Sequence, residues 1–328
     1  MADLSTNYLG LALKNPVIVG SCGLTNSVEK IIEIEKAGAG AVVLKSLFEE
    51  QITFQAEKTL AQTEANYSYP EARDYISNYS KENDVSNYLQ LIKNCKSKVS
   101  IPIIASINCV SSAEWTSFAR KMQDAGADAI ELNIFVLPSD PKKLPEQNEQ
   151  VYFDISQAIM KEVSIPVSVK TSYYFSGLAK TMLKLSWTGI KGVVLFNRFF
   201  SPDIDIEKFE ITSTNVFSTP EELALSLRWV AMLSARLHCD IAASTGIHSG
   251  AEAVKQLLAG AKAVQVASTV YKHGTPVITE MISFLEAWMT RHHFEKTSDF
   301  IGKMSFKEAD NPAAYERVQF MKHFSGIE

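Results

Sequence analysis

The chain has 328 residues, is 46% hydrophobic and carries a net charge of −5 at neutral pH. That is enough apolar material for one large core, and the acidic balance, with no Lys/Arg-rich run, argues against a nucleic-acid binder. No apolar stretch is long enough to span a bilayer, so no membrane partner is expected, and the start Met1–Asn7 lacks the basic and apolar blocks of a secretion signal. Cys22, Cys95, Cys109 and Cys239 are scattered without paired spacing, which predicts no metal site and suits reduced thiols in a cytoplasm.

Two kinds of apolar strand alternate along the chain. One kind opens on a polar residue or proline: Asn15–Ser21, Ile101–Ile107, Ile165–Lys170 and Cys239–Ser244. The other follows a glycine-bearing turn: Gly38–Lys45, Gly126–Asn133, Gly189–Asn197 and Gly260–Ala267. Their continuous apolar runs suit strands buried on both faces of a parallel sheet. Helical periodicity fills the intervals 27–37, 85–97, 112–125, 150–163, 176–187, 220–237, 250–259 and 275–292. Eight strand–helix units in a row predict a closed (β/α)8 TIM barrel. We read residues 1–328 as a single domain, with a barrel core at about 15–290 and a C-terminal extension at 293–328. The alternation also echoes a four-fold βαβα unit.

In such barrels the chemistry sits where the strands end. Read in order, those ends give Ser21, Lys45, Ser46, Ser106, Asn108, Asn133, Lys170, Thr171, Asn197, Arg198, Ser244, Thr245, Ser268 and Thr269. Two lysines and several amides make a cationic, hydrogen-bonding rim suited to an anionic, planar ligand. The stretch 240–270 places two strand ends side by side, each before a helix. Ser244, Thr245, Gly246, Ser268 and Thr269 gather there with free backbone N–H groups, which predicts a phosphate site. Three connections, 46–84, 134–149 and 198–219, are longer than a plain barrel needs and should roof the site.

These residues, in this order, resemble the dihydroorotate dehydrogenases. The likeness runs over roughly residues 5–290 and includes Leu9–Val17, Ala41–Ser46, Glu131–Asn133, Val167–Lys170, Phe196–Asn197, Ser244–Ile247 and Val266–Thr269. The resemblance implies an FMN flavoprotein that oxidises or reduces a C–C bond in a small planar or carboxylated substrate, with dihydroorotate to orotate in pyrimidine synthesis as the family reaction. It implies Lys170 at the flavin N1/O2 edge, where negative charge gathers on reduction. It implies Lys45, Asn133 and Asn197 between flavin and substrate, and Asn66 on the first long loop as a further substrate contact. Gly246, Ser268 and Thr269 would then grip the phosphate, with Ser21, Ser106, Asn108, Ser244 and Thr245 completing the cofactor cradle. The soluble branch of the family implies a homodimer. No G-x-G-x-x-G fingerprint or cysteine cluster is present, so electrons must pass to a diffusing acceptor or a redox partner protein.

The sequence also departs from the family. Val136 stands where the Cys or Ser base of the family stands, and Pro138 replaces a substrate asparagine. Tyr67, Tyr69, Ser139, Tyr173 and Tyr174 are the candidates to replace that base. The flavin half of the site is kept and the substrate half is rewritten. Two other readings stay open at this point: a non-catalytic flavin-binding partner subunit, and a non-redox phosphate-binding lyase or isomerase with Lys170 as a Schiff-base lysine.

Overall fold

The computed structural model describes residues 2–48, 70–108, 112–198, 202–213 and 216–316. Eight parallel strands close on themselves: β1 (Val17–Val19), β2 (Ala41–Val43), β3 (Ile103–Asn108), β4 (Ala129–Asn133), β5 (Val167–Thr171), β6 (Gly192–Leu195), β7 (Asp240–Ser244) and β8 (Ala263–Val266). β8 pairs with β1 through Val264↔Val17 and Val266↔Val19, which shuts the barrel. The expected TIM barrel is therefore present, with a helical segment after each strand.

Period-two alternation along each strand sorts the side chains into two cores. Val19, Val42, Ile130, Leu132, Val169, Val193, Ile241 and Val264 point outward and pack under the helices. Ile18, Ala41, Val43, Ile104, Ala129, Val194, Ala242 and Ala263 point inward. The interior is plugged from below by a hairpin, Thr6–Tyr8 against Leu11–Leu13. Its Tyr8, Leu9 and Leu13 are buried among the inner residues, and Leu9 N–H donates to Asp240 Oδ2 at 2.8 Å. Gly192 makes room for this plug: a Cβ there would stand 2.4 Å from Leu9 Cδ2. The sequence marks Leu9–Val17 only as part of the family resemblance; the structure folds its start, with Thr6–Tyr8, into a hairpin that floors the barrel.

The four-fold echo in the sequence has a physical basis. Gly38, Gly126, Gly189 and Gly260 all take left-handed φ, between +97° and +115°, at helix ends where a Cβ would be strained. Val99–Pro102 and Val163–Pro166 carry the same four residues. In the first, Ser100 N–H, Ser100 Oγ and Ile101 N–H all donate to Glu35 Oε1. In the second, Ser164 and Ile165 give the same three bonds to Gln123 Oε1.

This match makes a prediction. Burial works to raise the Glu35 pKa, but the donors of Ser100 and Ile101 outweigh it and hold the carboxyl below its usual value. A depressed folded pKa contributes stability above the unfolded pKa of about 4.3, and that contribution is lost as pH falls through the folded value. Glu35→Gln is expected to cost about 1 kcal/mol at pH 7, since Gln123 shows that a neutral oxygen can serve and the site is partly solvated. The gap from wild type should narrow below about pH 4. Urea melts at pH 7 and pH 3.5 check this; a gap that is constant with pH would refute it.

Of the first long connection, 46–84, residues 70–84 belong to a helix, Pro70–Lys98. The third contains a hairpin, Pro202–Asp205 with Glu210–Ser213, whose register includes Ile204↔Ile211.

Candidate active site

Because inward residues repeat every two positions, the ends of β5, β7 and β8 aim Lys170, Ser244 and Gln265 into one space, and Ser21, two residues past β1, borders it. They line a cavity of about 200 Å³ together with Asn197, Gly246 and Ser268. Lys170 is its buried cation, 8% exposed, and its Nζ donates to Gln265 Oε1 at 3.2 Å. Asn133 lies beside Lys170 in the strand register. Asn197 Nδ2 donates to Asn133 Oδ1 at 2.7 Å, so the two expected amides form a pair.

Ser21 and Ser106 are joined through Ser46, which the sequence marked only as a strand end. Ser46 Oγ lies 3.0 Å from Ser21 Oγ and 2.7 Å from Ser106 Oγ, and Ser46 N–H donates to Ser21 Oγ. Ser106 is fully buried, and its backbone N–H and carbonyl are both bonded to the Tyr88 hydroxyl. Its place is therefore beneath the rim. Asn108 is half-buried at the end of β3, paired in register with Phe48. Lys45 follows β2, half-buried, with its N–H on Thr25 carbonyl at 3.2 Å. Asn66, with Tyr67 and Tyr69, lies outside the described residues, as does Cys109.

The expected phosphate loops adjoin one another. Thr245 and Gly246 are consecutive residues with positive φ, +75° and +78°. For a β-branched residue such as Thr245 this backbone is strained, and strain of that kind collects at functional loops. Thr245 Oγ1 donates to Phe196 carbonyl at 3.2 Å, which helps hold the turn. Ser268 Oγ accepts from Ser218 N–H at 3.0 Å, while Thr269 Oγ1, fully buried, donates to His248 carbonyl at 3.2 Å. Thr269 can thus serve a ligand only through its backbone.

Ser218 and His248 were not anticipated. Ser218 Oγ lies 3.0 Å from His248 Nε2, and Lys272 Nζ donates to Ser218 carbonyl at 2.9 Å. Burial, then the charge of Lys272, pushes the His248 pKa down, so its ring is neutral at pH 7. Gln265 and Glu131 were likewise given no role. The signal for Gln265 was one polar residue at an inward position of an apolar strand.

A second cavity, of about 530 Å³, adjoins the barrel mouth and is bordered by Val136, Lys143, Tyr152, Tyr173 and Tyr174. The Tyr152 hydroxyl accepts from Val136 N–H at 3.2 Å. Burial raises the Tyr152 pKa. The hydroxyls of Tyr173 and Tyr174 lie 3.3 Å apart, and this bond, with burial, pushes the Tyr173 pKa up to about 12.

The family model for dihydroorotate dehydrogenase matches residues 3–289. The chain belongs to the dihydroorotate dehydrogenase family. The chain is similar to relatives named dihydroorotate dehydrogenase B (NAD(+)), catalytic subunit. The one from Thermoplasma acidophilum is 28% identical over 322 residues, covering 92% of this chain and 99% of the relative. That from Methanocaldococcus jannaschii is 28% identical over 297 residues, covering 86% and 94%. That from Pyrococcus abyssi is 27% identical over 304 residues, covering 91% and 98%. As a member of this family the chain is an oxidoreductase acting on CH–CH groups, and the lyase and isomerase readings fall away.

Dihydroorotate dehydrogenases are flavin-dependent, and the donor set here fits a flavin. A single ammonium, an amide pair and several hydroxyls suit a planar, partly anionic ring system, and the Thr245–Gly246 turn suits its tail. Gly246 is the most demanding position in that turn. A Cβ there would lie 2.2 Å from Leu223 N and 2.7 Å from Leu223 Cα, and φ is already left-handed. Gly246→Ala is expected to cost about 3 kcal/mol or more and to lower Tm by roughly 5 °C or more. Gly10→Ala is the control: φ is +81° but no atom lies within 4 Å of a Cβ, so only the backbone strain of about 1–2 kcal/mol applies. Equal losses in the two variants would contradict the steric argument.

Proposed function

We propose that this dihydroorotate dehydrogenase family member is an FMN enzyme that oxidises or reduces a C–C bond in a small planar, carboxylated or amide-bearing molecule. The observation that carries this is the buried Lys170 ammonium at the floor of a cavity walled by the ends of β1, β5, β7 and β8. FMN, when bound, supplies the electron pair acceptor or donor. Lys170 would hold positive charge at the ring edge that becomes more negative, in place before the reaction begins. Gly246, Ser268 and Thr269 would hold the phosphate, Thr269 by its backbone. Because Asn133 and Asn197 bond to one another, their remaining amide ends offer one donor and one acceptor to a flat ligand. Lys45 and Asn66 would take its carboxylate and carbonyl groups.

The proton side of the reaction is different. Val136 has no proton to exchange. Tyr173, with its pKa near 12, keeps its proton at neutral pH and acts as a donor. Dihydroorotate, which needs a base at the carbon next to the reacting one, should therefore turn over slowly.

Electrons leave to a diffusing acceptor or a redox partner protein. The relatives' name, catalytic subunit, supports a partner. Among the described residues no helix is long and apolar enough to cross a membrane. Cys22, Cys95 and Cys239 are free, which supports a cytoplasmic setting. A homodimer has a ready surface in the 202–213 hairpin, where Ile204, Ile206, Phe209 and Ile211 are 65–89% exposed. Changing Ile204 and Ile211 together to Ser should halve the mass seen by light scattering; an unchanged mass would remove the hairpin from the interface.

The deciding experiment is to record the visible spectrum of the purified protein, then add FMN. A yellow protein, or one that takes up FMN stoichiometrically, supports the reading. A colourless protein that binds no flavin overturns it. Assays with dihydroorotate against fumarate, NAD and a quinone then set substrate and acceptor.

A further inference from the structure

Below Lys170 the barrel interior is largely aliphatic, and one chain of polar groups runs through it. Gln265 accepts from Lys170 Nζ at 3.2 Å and donates through Nε2 to Glu131 Oε2 at 2.5 Å. Gln265 is 3% exposed and Glu131 1%. Among the described residues Glu131 Oε1 has no hydrogen-bond partner, and the Tyr8 hydroxyl rises from the barrel floor. Burial, then the Glu131 charge, raises the Tyr8 pKa far above its usual value, so the phenol stays neutral beside the carboxyl.

Such a chain is a poor way to stabilise a barrel. A buried carboxyl oxygen left unpaired costs about 1–3 kcal/mol or more. Val or Ile at the same inward positions would fill the layer without that cost, as they do on β1, β2, β3 and β6. What the chain supplies is direction. A glutamine can present either its oxygen or its NH₂. An ionised Glu131 only accepts and Lys170 only donates, so the amide between them has one favourable orientation. Turning it over would set oxygen against oxygen and NH₂ against ammonium. Gly20 leaves the amide its place, since a Cβ there would stand 3.2 Å from Gln265 Oε1.

We infer that Gln265 and Glu131 are positioning residues for Lys170. The Glu131 carboxylate fixes the Gln265 amide, and the amide oxygen holds the Lys170 ammonium at the flavin edge. The inference rests on the flavin reading of the site for its consequence, but the link among the three residues stands apart from it.

Two double-mutant cycles test the link, built from Glu131→Gln and Lys170→Met. The first uses thermal melts of the flavin-free protein. If the residues are linked, the double variant loses less than the sum of the two single losses; additive losses overturn the inference. The second uses the flavin midpoint potential. Lys170→Met should make it more negative by at least 30 mV, which is tenfold in a two-electron equilibrium. Glu131→Gln should move it in the same direction, and the double variant should go no further than Lys170→Met alone. An unchanged potential in Glu131→Gln overturns the inference. So does an upward shift that persists without Lys170, because that is the effect of the carboxylate charge alone. Gln265→Leu should reproduce the negative shift, and Glu131→Asp should restore part of it. If the wild-type protein takes no flavin, the functional reading fails while the melting cycle still decides the link.

Discussion

Lys170→Met is expected to keep its flavin and to lose about 10²–10³-fold in the rate at which substrate bleaches the flavin absorbance. The expectation follows from where the ammonium sits. It is buried, so little water screens it, and a charge in such a place acts more strongly than in solvent. Its acceptor comes from β8 and its register neighbour from β4, so two walls of the barrel hold it. Methionine matches the length of the stem and removes only the charge and the donors. The proposed phosphate contacts lie on the loops after β7 and β8, so affinity for FMN should fall far less than the rate. Anaerobic stopped-flow mixing, with flavin content measured beside it, separates the two. A rate within threefold of wild type would remove Lys170 from the chemistry. Complete loss of flavin would instead make it an anchor for the cofactor.

The barrel was legible because its signals are local. The eight predicted strands overlap the observed ones, and the helix predicted at 250–259 is found as Gly250–Ala259. Glycines at 38, 126, 189 and 260 marked the strand starts for a reason visible in their φ values. What escaped the sequence depends on contacts across the barrel. Nothing local says that Tyr8 and Leu9 fold back to plug the floor, or that Gln265 meets Lys170 from β5 and Glu131 from β4. Periodicity told which positions face inward but not which inward polar groups meet. Likewise Ser46, read only as a strand end, joins Ser21 to Ser106 because three neighbouring strands bring their ends together. The helix Pro70–Lys98 was cut short in the reading because its first turns are polar and aromatic, without a clear apolar stripe.

Val136→Cys is expected to raise dihydroorotate-dependent flavin reduction by about 10²–10⁴-fold, the usual contribution of a positioned base. Val136 is three residues beyond Asn133, whose amide borders the proposed flavin through Asn197. Its side chain is half-buried and borders the larger cavity, so a thiol there has both room and access. Its backbone N–H stays bonded to the Tyr152 hydroxyl whatever the side chain, which keeps the loop in place. Tyr152 and Tyr173, two of the phenols bordering that cavity, have raised pKa values and hold their protons more tightly than an ordinary tyrosine. The gain should appear in kcat, because Pro138 still stands where the family has a substrate asparagine. It should also carry a signature in pH, rising toward a thiol pKa of about 8.5 as the thiolate forms, where wild type shows no such limb. Val136→Ala is the control for added space alone. If Cys and Ala variants reduce flavin at the same rate and with the same pH profile, position 136 is not where the proton leaves, and the substrate of this branch is not built like dihydroorotate.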